Sequence, residues 1–436
     1  MKNKDKQIST RLAVATCALL GSQAAAPVLA QEAKPWELDL ALLYYGESDE
    51  RVQDASLNVL AKRLFADQRS LSLNLTVDTL TGASASGAIA LDRPQTFTSP
   101  SGNAVYTTPT GEIPLDDTFL DTRVAFSATW SQPLGRLYKG IVGISFSDEY
   151  DYTHLGANFG LERDFFKRNT TLSLGVAFSQ DDLDPVGGAP IPLAHMRDVG
   201  DPSSKRGSDS KDVLDVLIGV TQVIDINTVV RVNYSFSDSS GYLNDPYKLL
   251  SIVDPITGDT LNRTPAPGAI GADGEYVYES RPDGRAKHSL YGQVKRYLGG
   301  KVLDVSYRFM TDDWDIASHT VDARLRWPLN DRAYLEPHVR YYMQSEAEFY
   351  RASLVAGQPL PRYASADFRL GDFDAFTLGL KYGSKTRSGN EWSARVEYYN
   401  QSGAVPSNQI IGNQSSREQY PDLSALILQF SYQFKF

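Results

Sequence analysis

Apolar and polar side chains alternate along most of the chain, and residues 426–436 (LILQFSYQFKF) show the pattern most clearly. Counted back from Phe436, every second side chain is aromatic or leucine, whereas four of the five between them are polar. A β-strand points alternate side chains to opposite faces. A wholly apolar face promotes aggregation in water, but lipid requires one of a barrel strand. The pattern therefore predicts a membrane-spanning strand that ends at Phe436.

Sixteen segments with this alternation can be counted, each bounded by turn-forming residues. They lie near residues 36–45, 52–65, 69–78, 119–131, 137–148, 153–165, 169–180, 211–223, 227–238, 286–297, 301–313, 316–327, 333–345, 372–383, 391–401 and 423–436. The sequence thus predicts an all-β fold, a transmembrane antiparallel up-and-down β-barrel of about sixteen strands. One misread hairpin would make the number fourteen or eighteen, because single-chain bacterial barrels have even strand numbers.

The connections between the predicted strands alternate in length. Seven are tight turns, at 66–68, 132–136, 166–168, 224–226, 298–300, 328–332 and 384–390. The long polar connections lie near 79–118, 181–210, 239–285, 346–371 and 402–422. Outer-membrane barrels have short periplasmic turns and longer outer loops. We therefore expect periplasmic termini and long extracellular loops.

Residues 1–30 have the features of a secretory signal peptide. Basic residues precede the apolar run 12–21, which is about half as long as the roughly 20 residues that a spanning helix needs. Small residues indicate cleavage after Ala30, which leaves residues 31–436 as the barrel. The one cysteine, Cys17, lies inside the signal. The mature chain would therefore have no disulfide, thiolate metal site or covalently attached haem.

Composition and charge fit the same class. The chain has 24 Tyr, 18 Phe and 33 Gly but a mean hydropathy of -0.32, because barrels hide their apolar residues in alternation and look polar on average. The net charge of -10 argues against nucleic acid as a partner, since phosphate binding demands basic patches. No motif indicates a cofactor, and we expect none.

Charged side chains are concentrated at inward-facing positions of three consecutive predicted strands. These candidate lumen-lining residues are Asp304, Arg308, Asp322, Arg324, Arg326, Glu336, His338 and Arg340. Neighbouring strands lie about 5 Å apart, so the groups can form ion pairs across the wall. Two interpretations remain open. The charges line a constriction that orients a polar solute, or they pair with each other and with water and only stiffen a wet wall.

The longest connection, 239–285, is the candidate gate. Its ends carry the motifs 241–248 (GYLNDPYK) and 278–285 (YESRPDGR), which contain turn-forming residues. We expect opposite charges in the two motifs to pair and fold the loop over or into the barrel mouth, with a mobile middle at 254–273. The candidate gating residues are Tyr242, Asp245, Lys248, Glu279, Arg281, Asp283 and Arg285.

Five motifs occur in a characteristic order along the chain. They are 81–88 (TGASASGA), 117–123 (DTFLDTR), 241–248, 278–285 and 336–342 (EPHVRYY). Together they resemble the Gram-negative family filed as domain of unknown function 3570, over about residues 36–436. The first motif departs from that family, which has a proline and an asparagine where this chain has Ala85 and Ser86. The resemblance implies an outer-membrane barrel of unknown activity and supplies no catalytic residues.

These observations favour a porin-like channel for a small polar solute. A barrel scaffold or assembly factor that holds a periplasmic or surface partner is the alternative. A surface hydrolase is a third hypothesis, in which His154 with Asp151, or His288 with Asp283, forms a base and its orienting carboxylate. No serine stands in an activating motif, so we expect no enzyme. No two histidines share a strand face at close spacing, so we expect no metal site.

The predicted location is the outer membrane of a Gram-negative bacterium. The expected partners are outer-membrane lipid and lipopolysaccharide, together with the barrel assembly machinery. That machinery would read the C-terminal strand ending in Phe436.

Overall fold

The fold is that of a computed structural model, which describes residues 36–48 and 51–436. The predicted signal peptide, residues 1–30, lies outside the described residues. Within them, no helix is both long enough and apolar enough to cross a membrane.

Sixteen long strands form the main sheet. They are β1 (Glu37–Glu47), β2 (Gln53–Leu64), β3 (Ser70–Ala85), β4 (Leu115–Leu134), β5 (Tyr138–Asp148), β6 (Tyr152–Phe165), β7 (Thr170–Leu183), β8 (Asp209–Asp225), β9 (Thr228–Gly241), β10 (Gly284–Leu298), β11 (Lys301–Asp312), β12 (Ala317–Pro328), β13 (Ala333–Gln344), β14 (Asp372–Lys385), β15 (Glu391–Ala404) and β16 (Leu423–Lys435). Each coincides with one of the sixteen predicted segments.

The sheet closes into a barrel in which every strand pairs antiparallel with its sequence neighbour. The seam is formed by β1 and β16, with Leu38 opposite Phe434 and Leu40 opposite Tyr432. Closure removes the free edges that would otherwise expose unpaired backbone groups to lipid. The predicted sixteen-stranded antiparallel barrel is therefore confirmed.

Side chains alternate between the two faces of the wall. On β5, for example, Val142, Ile144 and Phe146 are exposed on the outside, so Gly143 and Ser145 face the lumen. The apolar outer face is the surface that lipid requires.

The inner face of β5 to β8 carries small side chains in its middle. Gly156 on β6 lies opposite Ser145 on β5, and Gly160 on β6 lies opposite Gly175 on β7. Gly219 lies on the next strand, β8. Because glycine adds no side chain, these positions leave space on the lumen side of the wall.

The connections at the two ends of the barrel differ as predicted. At one end they span two to five residues, at 65–69, 135–137, 166–169, 226–227, 299–300, 329–332 and 386–390. At the other end, five long loops contain short elements of their own. These are the strands Gln95–Thr98, Val105–Thr108, Ala189–Pro190, Lys205–Arg206, Leu249–Val253, Tyr276–Tyr278 and Leu354–Val355, and the 3-10 helices Phe368–Leu370, Ser407–Gln409 and Gly412–Ser416. One 3-10 helix, Phe166–Arg168, lies at the short-turn end.

Candidate functional site

The five long loops fold together into one structure, which we call the outer cap. It comprises residues 86–114, 184–208, 242–283, 345–371 and 405–422. The loop 242–283 is its centre. On one side, the Leu249 N–H donates to the Ser86 carbonyl at 2.8 Å, and the Met196 N–H donates to the Tyr276 carbonyl at 2.8 Å.

The same central loop binds the two remaining long loops on its other side. Ser280 and Ala364 exchange backbone hydrogen bonds, each 2.8 Å long. The Asn413 N–H donates to the Thr257 carbonyl at 2.8 Å, and Gln414 Nε2 donates to the Gly258 carbonyl at 2.9 Å. The candidate gating loop therefore contacts all four other long loops of the described chain.

Apolar side chains form several small cores inside the cap. Phe97 and Tyr276 pack with ring centroids 4.6 Å apart, and both are buried. Leu250 and Val277 are fully buried beside Leu354. The middle of the central loop, expected to be mobile, also contributes the fully buried Ala272. The cap is thus a cored structure that includes this middle segment.

The cap covers the outer mouth of the barrel. Sixteen strands at about 4.8 Å spacing and about 40° tilt enclose an opening roughly 30 Å across. The loops of the cap leave the rim at positions spread around the whole circumference. Loops that leave such distant rim positions and are hydrogen-bonded to one another must cross the opening, either above it or inside it.

A buried ion-pair cluster lies where the central loop meets the loop 345–371. Arg281 Nε lies 2.7 Å from Glu279 Oε1, and its Nη2 lies 2.8 Å from Asp367 Oδ2. The side chains of Arg281 and Asp367 are 3% and 1% exposed. The backbone N–H of Arg281 donates to Asn244 Oδ1 at 2.6 Å. Arg281 Nη2 also donates to Glu279 Oε2 at 3.0 Å, and charge-assisted hydrogen bonds of this kind are stronger than neutral ones.

A second arginine completes this cap cluster. Arg369 Nε donates to both carboxylate oxygens of Asp367 at 2.9 Å, and Arg369 Nη2 pairs with Asp245. Burial raises the pKa of Asp245 and of Asp367, but Arg369 and Lys248 outweigh it, so both pKa values lie below the usual range. Burial raises the pKa of Glu279 despite Arg281. The cluster therefore holds two strongly acidic carboxyls and one weakly acidic carboxyl.

The structure distributes the predicted gating residues among several contacts. Asp245, Glu279 and Arg281 lie in the cap cluster, whereas Lys248 Nζ donates to Ser84 Oγ at 2.9 Å and to the Ala85 carbonyl at 2.6 Å. The sequence did not identify Asp367 and Arg369, because they come from a different loop.

The other three gating residues have different partners. Tyr242 is buried against Leu183 at the root of the loop. Arg285 pairs with Asp312 and stacks on Trp314 at 4.3 Å. The Asp283 side chain is exposed, and its backbone carbonyl accepts from Gly241.

Below the cap, the predicted lining residues occupy the inner face of β11 to β13. His338 lies between two carboxylates, with Nε2 2.8 Å from Asp322 Oδ2 and Nδ1 2.8 Å from Glu397 Oε1. His338 reaches Glu397 across β14, because the residue between them is Gly379. A Cβ atom at position 379 would lie 2.7 Å from Glu397 Cγ.

The other lining residues extend this charged wall. Arg324 Nε lies 3.3 Å from Asp322 Oδ1, Lys295 Nζ lies 3.1 Å from Asp304 Oδ2, and Arg326 Nη2 lies 3.5 Å from Glu391 Oε1. Glu336 lies opposite Lys381 on the neighbouring strand, and Arg308 stacks on Tyr291. Arg340 lies opposite Thr377 and is exposed to the lumen. The wall therefore mixes paired charges with an accessible guanidinium.

The two proposed histidine–aspartate pairs are wrong. His154 Nδ1 lies 2.6 Å from Asp181 Oδ1, and its Nε2 lies 3.0 Å from Ser145 Oγ. Asp151, its supposed partner, accepts a hydrogen bond from Tyr247 at 2.5 Å instead. Antiparallel pairing places residue 181 directly opposite residue 154.

His288 lies on the outer face of the barrel, away from Asp283. Its Nδ1 is 2.7 Å from the Tyr234 hydroxyl, and its ring packs on Phe236 with centroids 5.1 Å apart. Over residues 36–48 and 51–436, no three His, Cys, Asp or Glu side chains are arranged to hold a metal ion.

Solved structures with a similar fold include several outer-membrane proteins. The siderophore receptor PirA from Acinetobacter baumannii is 11% identical with a TM-score of 0.41, over 85% of this chain and 53% of that one. A bacterial polysaccharide outer membrane secretin is 10% identical with a TM-score of 0.42, over 92% and 99%. OccAB1 from Acinetobacter baumannii is 9% identical with a TM-score of 0.38, over 93% and 96%. The chain spans about half the length of the siderophore receptors it matches.

No curated protein matches the chain. A family model does match it, over residues 9–434, which is nearly the whole sequence. The chain therefore belongs to the family described as Protein of unknown function (DUF3570).

Proposed function

We propose that this barrel is a gated, porin-like channel for a small polar solute in the outer membrane of a Gram-negative bacterium. The observation that carries the proposal is the folded outer cap over a lumen with a charged wall. Sixteen strands leave room for water, whereas about eight strands are filled by their own side chains. The inner face is polar and the outer face is apolar, as in water-filled barrels.

The wall of β11 to β15 supplies the selectivity in this proposal. Arg340 is exposed to the lumen, close to the Asp322–His338–Glu397 group of paired charges. Opposed charges in a narrow aqueous space set up a transverse field that orients a polar solute. The small side chains of β5 to β8 leave room for the solute on the other side.

The outer cap supplies the gate. Its central loop, 242–283, contacts all the other long loops of the cap, so displacement of this one segment would break contacts with every one of them. The cap cluster around Arg281 is the fastening between two of these loops. Passage from outside then requires that the cluster opens.

Conductance of the purified protein in a planar bilayer tests the proposal. We expect low conductance with the cap intact and stable open steps after residues 243–282 are replaced by a short glycine–serine linker. The Arg340→Ala substitution should shift the reversal potential in a salt gradient toward cation preference. Arg387→Ala, in a short periplasmic turn, is the matched control and should leave selectivity unchanged. Silence of the folded wild type and of the linker variant would overturn the channel proposal.

A scaffold is the second candidate function, and the closed cap favours it too. A barrel capped at one end is a cup that opens toward the periplasm, where it could hold a protein partner. In that case a periplasmic protein should copurify with the wild type at constant stoichiometry, whether or not the linker variant conducts. Lipid, lipopolysaccharide and the barrel assembly machinery are expected partners under either proposal.

A further inference from the structure

Three side chains on adjacent strands form a chain of hydrogen bonds on the inner wall just below the cap. Asp181 Oδ1 on β7 lies 2.6 Å from His154 Nδ1 on β6, and His154 Nε2 lies 3.0 Å from Ser145 Oγ on β5. An ionised carboxylate only accepts hydrogen bonds, so Asp181 keeps the imidazole proton on Nδ1. His154 Nε2 is then free to accept the hydroxyl proton of Ser145.

A glycine makes this contact sterically feasible. Gly156 lies directly opposite Ser145 and two residues from His154 on the same face of β6. A Cβ atom at position 156 would lie 2.5 Å from Ser145 Oγ and 3.1 Å from His154 Nε2. Any other residue would intrude into the hydrogen bond between the two side chains. The wall is therefore shaped to bring serine and histidine together.

Asp181 is held in place by two further groups. The Tyr152 hydroxyl donates to Asp181 Oδ2, and Lys211 Nζ lies 3.1 Å from the same oxygen. The Asp181 side chain is only 4% exposed. Because its second oxygen is occupied, the first remains directed at the imidazole. Tyr152 and Lys211 act as positioning residues for the carboxylate.

A polar group beside the serine has no hydrogen-bond partner. Asn158 Nδ2 is buried and unpaired among the described residues. Asn158 lies opposite Gly143, two residues before Ser145 on the same strand face. Buried amide donors are nearly always satisfied, so an exception calls for a physical explanation. A turn of the Asn158 side chain toward the lumen would bring this donor to an oxyanion formed at Ser145, which would supply the acceptor that it lacks.

We propose that Ser145, His154 and Asp181 form a catalytic triad that hydrolyses a small, water-soluble carboxylic ester inside the lumen, with Asn158 as the oxyanion donor. This goes beyond the channel proposal and departs from the sequence-based expectation of no enzyme. All three side chains face inward, whereas Ile144, Phe146 and Leu155 beside them face lipid. The substrate is therefore a solute in the lumen and not a bilayer lipid.

The reaction proceeds in two balanced steps. Ser145 Oγ attacks the ester carbonyl carbon and gives its proton to His154 Nε2, while Asn158 Nδ2 donates to the developing oxyanion. The bond to the alcohol oxygen breaks, and the alcohol leaves with the proton from His154. Water then attacks the acyl-serine, gives a proton to His154, and releases the carboxylic acid as that proton returns to Ser145. One ester and one water become one acid and one alcohol.

Covalent labelling tests the proposal, because a fluorophosphonate marks a nucleophilic serine and ignores a structural one. The folded full-length protein is treated with a small ethyl fluorophosphonate, and the labelled peptide is identified by mass spectrometry. Hydrolysis of 4-nitrophenyl acetate is followed in parallel. We expect the label on Ser145, and a loss of labelling and hydrolysis by at least about a hundredfold in Ser145→Ala and His154→Gln.

Two further variants separate catalysis from wall structure. Ser147→Ala removes the next inward-facing serine of β5 and should leave both rates unchanged. Gly156→Ala keeps the whole triad but should lose both activities, since the new Cβ displaces Ser145. Folding of each variant is checked by its heat-modifiable gel mobility. The proposal is overturned if folded wild type and cap-opened Arg281→Ala both leave Ser145 unlabelled, or if Ser145→Ala hydrolyses the ester as fast as wild type.

Discussion

The Arg281 guanidinium donates a hydrogen bond to the Asp367 carboxylate at 2.8 Å, although the two residues belong to loops that leave the rim on different sides of β10 to β13. Both side chains are almost fully buried. A pair of this kind joins two loops that share no strand hairpin. It is therefore a direct fastening across the barrel mouth.

Loss of this fastening should open the cap. Arg281→Ala leaves Glu279 and Asp367 buried beside each other with one guanidinium removed. Removing one partner of a buried pair costs about 3–5 kcal/mol, which corresponds to more than about a hundredfold rise in the open fraction. Single-channel recording should show longer openings. Arg362→Ala, which removes an exposed arginine of the same loop, should behave as wild type.

Acid should open the cap through the same cluster. Asp245 and Asp367 have lowered pKa values in the closed cap, so their stabilisation is complete above the ordinary value near 4 and is lost as the pH falls below it. Glu279 has a raised pKa and acts in the opposite sense, because its protonation favours the closed form. We expect no opening between pH 8 and about 5, and rising conductance below about pH 4. A conductance that falls steadily with acid would contradict the assignment.

A single methyl group should loosen the contact between the central loop and the loop 405–422. Gly258 has a positive φ of 72°, and a Cβ atom there would lie 2.0 Å from the Ile411 carbonyl oxygen. In Gly258→Ala we expect trypsin to cleave after Arg417, which is only 5% exposed in the intact cap. Gly268→Ala is the control, since φ is 82° there but no atom lies within 4 Å. Equal cleavage in both variants would mean that backbone strain alone explains the effect.

The terminal aromatic residue should govern assembly in cells. Phe436 is 65% exposed, and its N–H donates to the Trp36 carbonyl at 3.0 Å. If the assembly machinery reads this residue, Phe436→Ala should lower the folded, membrane-inserted fraction severalfold. Heat-modifiable mobility of the outer-membrane fraction measures it. Phe178→Ala, also exposed on the lipid face, should insert normally.

The barrel could be predicted because its signal is local. Each strand is indicated by an alternation of apolar and polar residues over about ten positions. On β3, for example, Leu71, Leu73 and Leu75 alternate with polar residues. The lengths of the connections then indicate which end of the barrel carries the short turns and which carries the long loops. Neither inference needs a residue that is far away in the sequence, which is why the sequence alone predicts all sixteen strands.

The site could be predicted only in part, because its contacts are non-local. Asp245, Glu279 and Arg281 stand in motifs with turn residues, but nothing near them in sequence points to Asp367 or Arg369. Asp151 is closer than Asp181 to His154 in sequence, yet strand pairing selects Asp181. Gly156 and Gly379 offered a usable signal, since an inward-facing glycine marks a place where side chains from neighbouring strands can meet.

The cap has a consequence for the order in which the protein folds. Arg417 pairs with Asp92 across 325 residues of sequence, and Arg51 donates to the Asp422 carbonyl across 371. Contacts between such distant segments form slowly, since the loop-closure entropy must first be overcome. These segments come close to each other only when β16 pairs with β1 and closes the barrel. The barrel should therefore insert into the membrane before its cap has formed. A newly inserted molecule should pass through a short stage in which the loops of the cap are sensitive to protease.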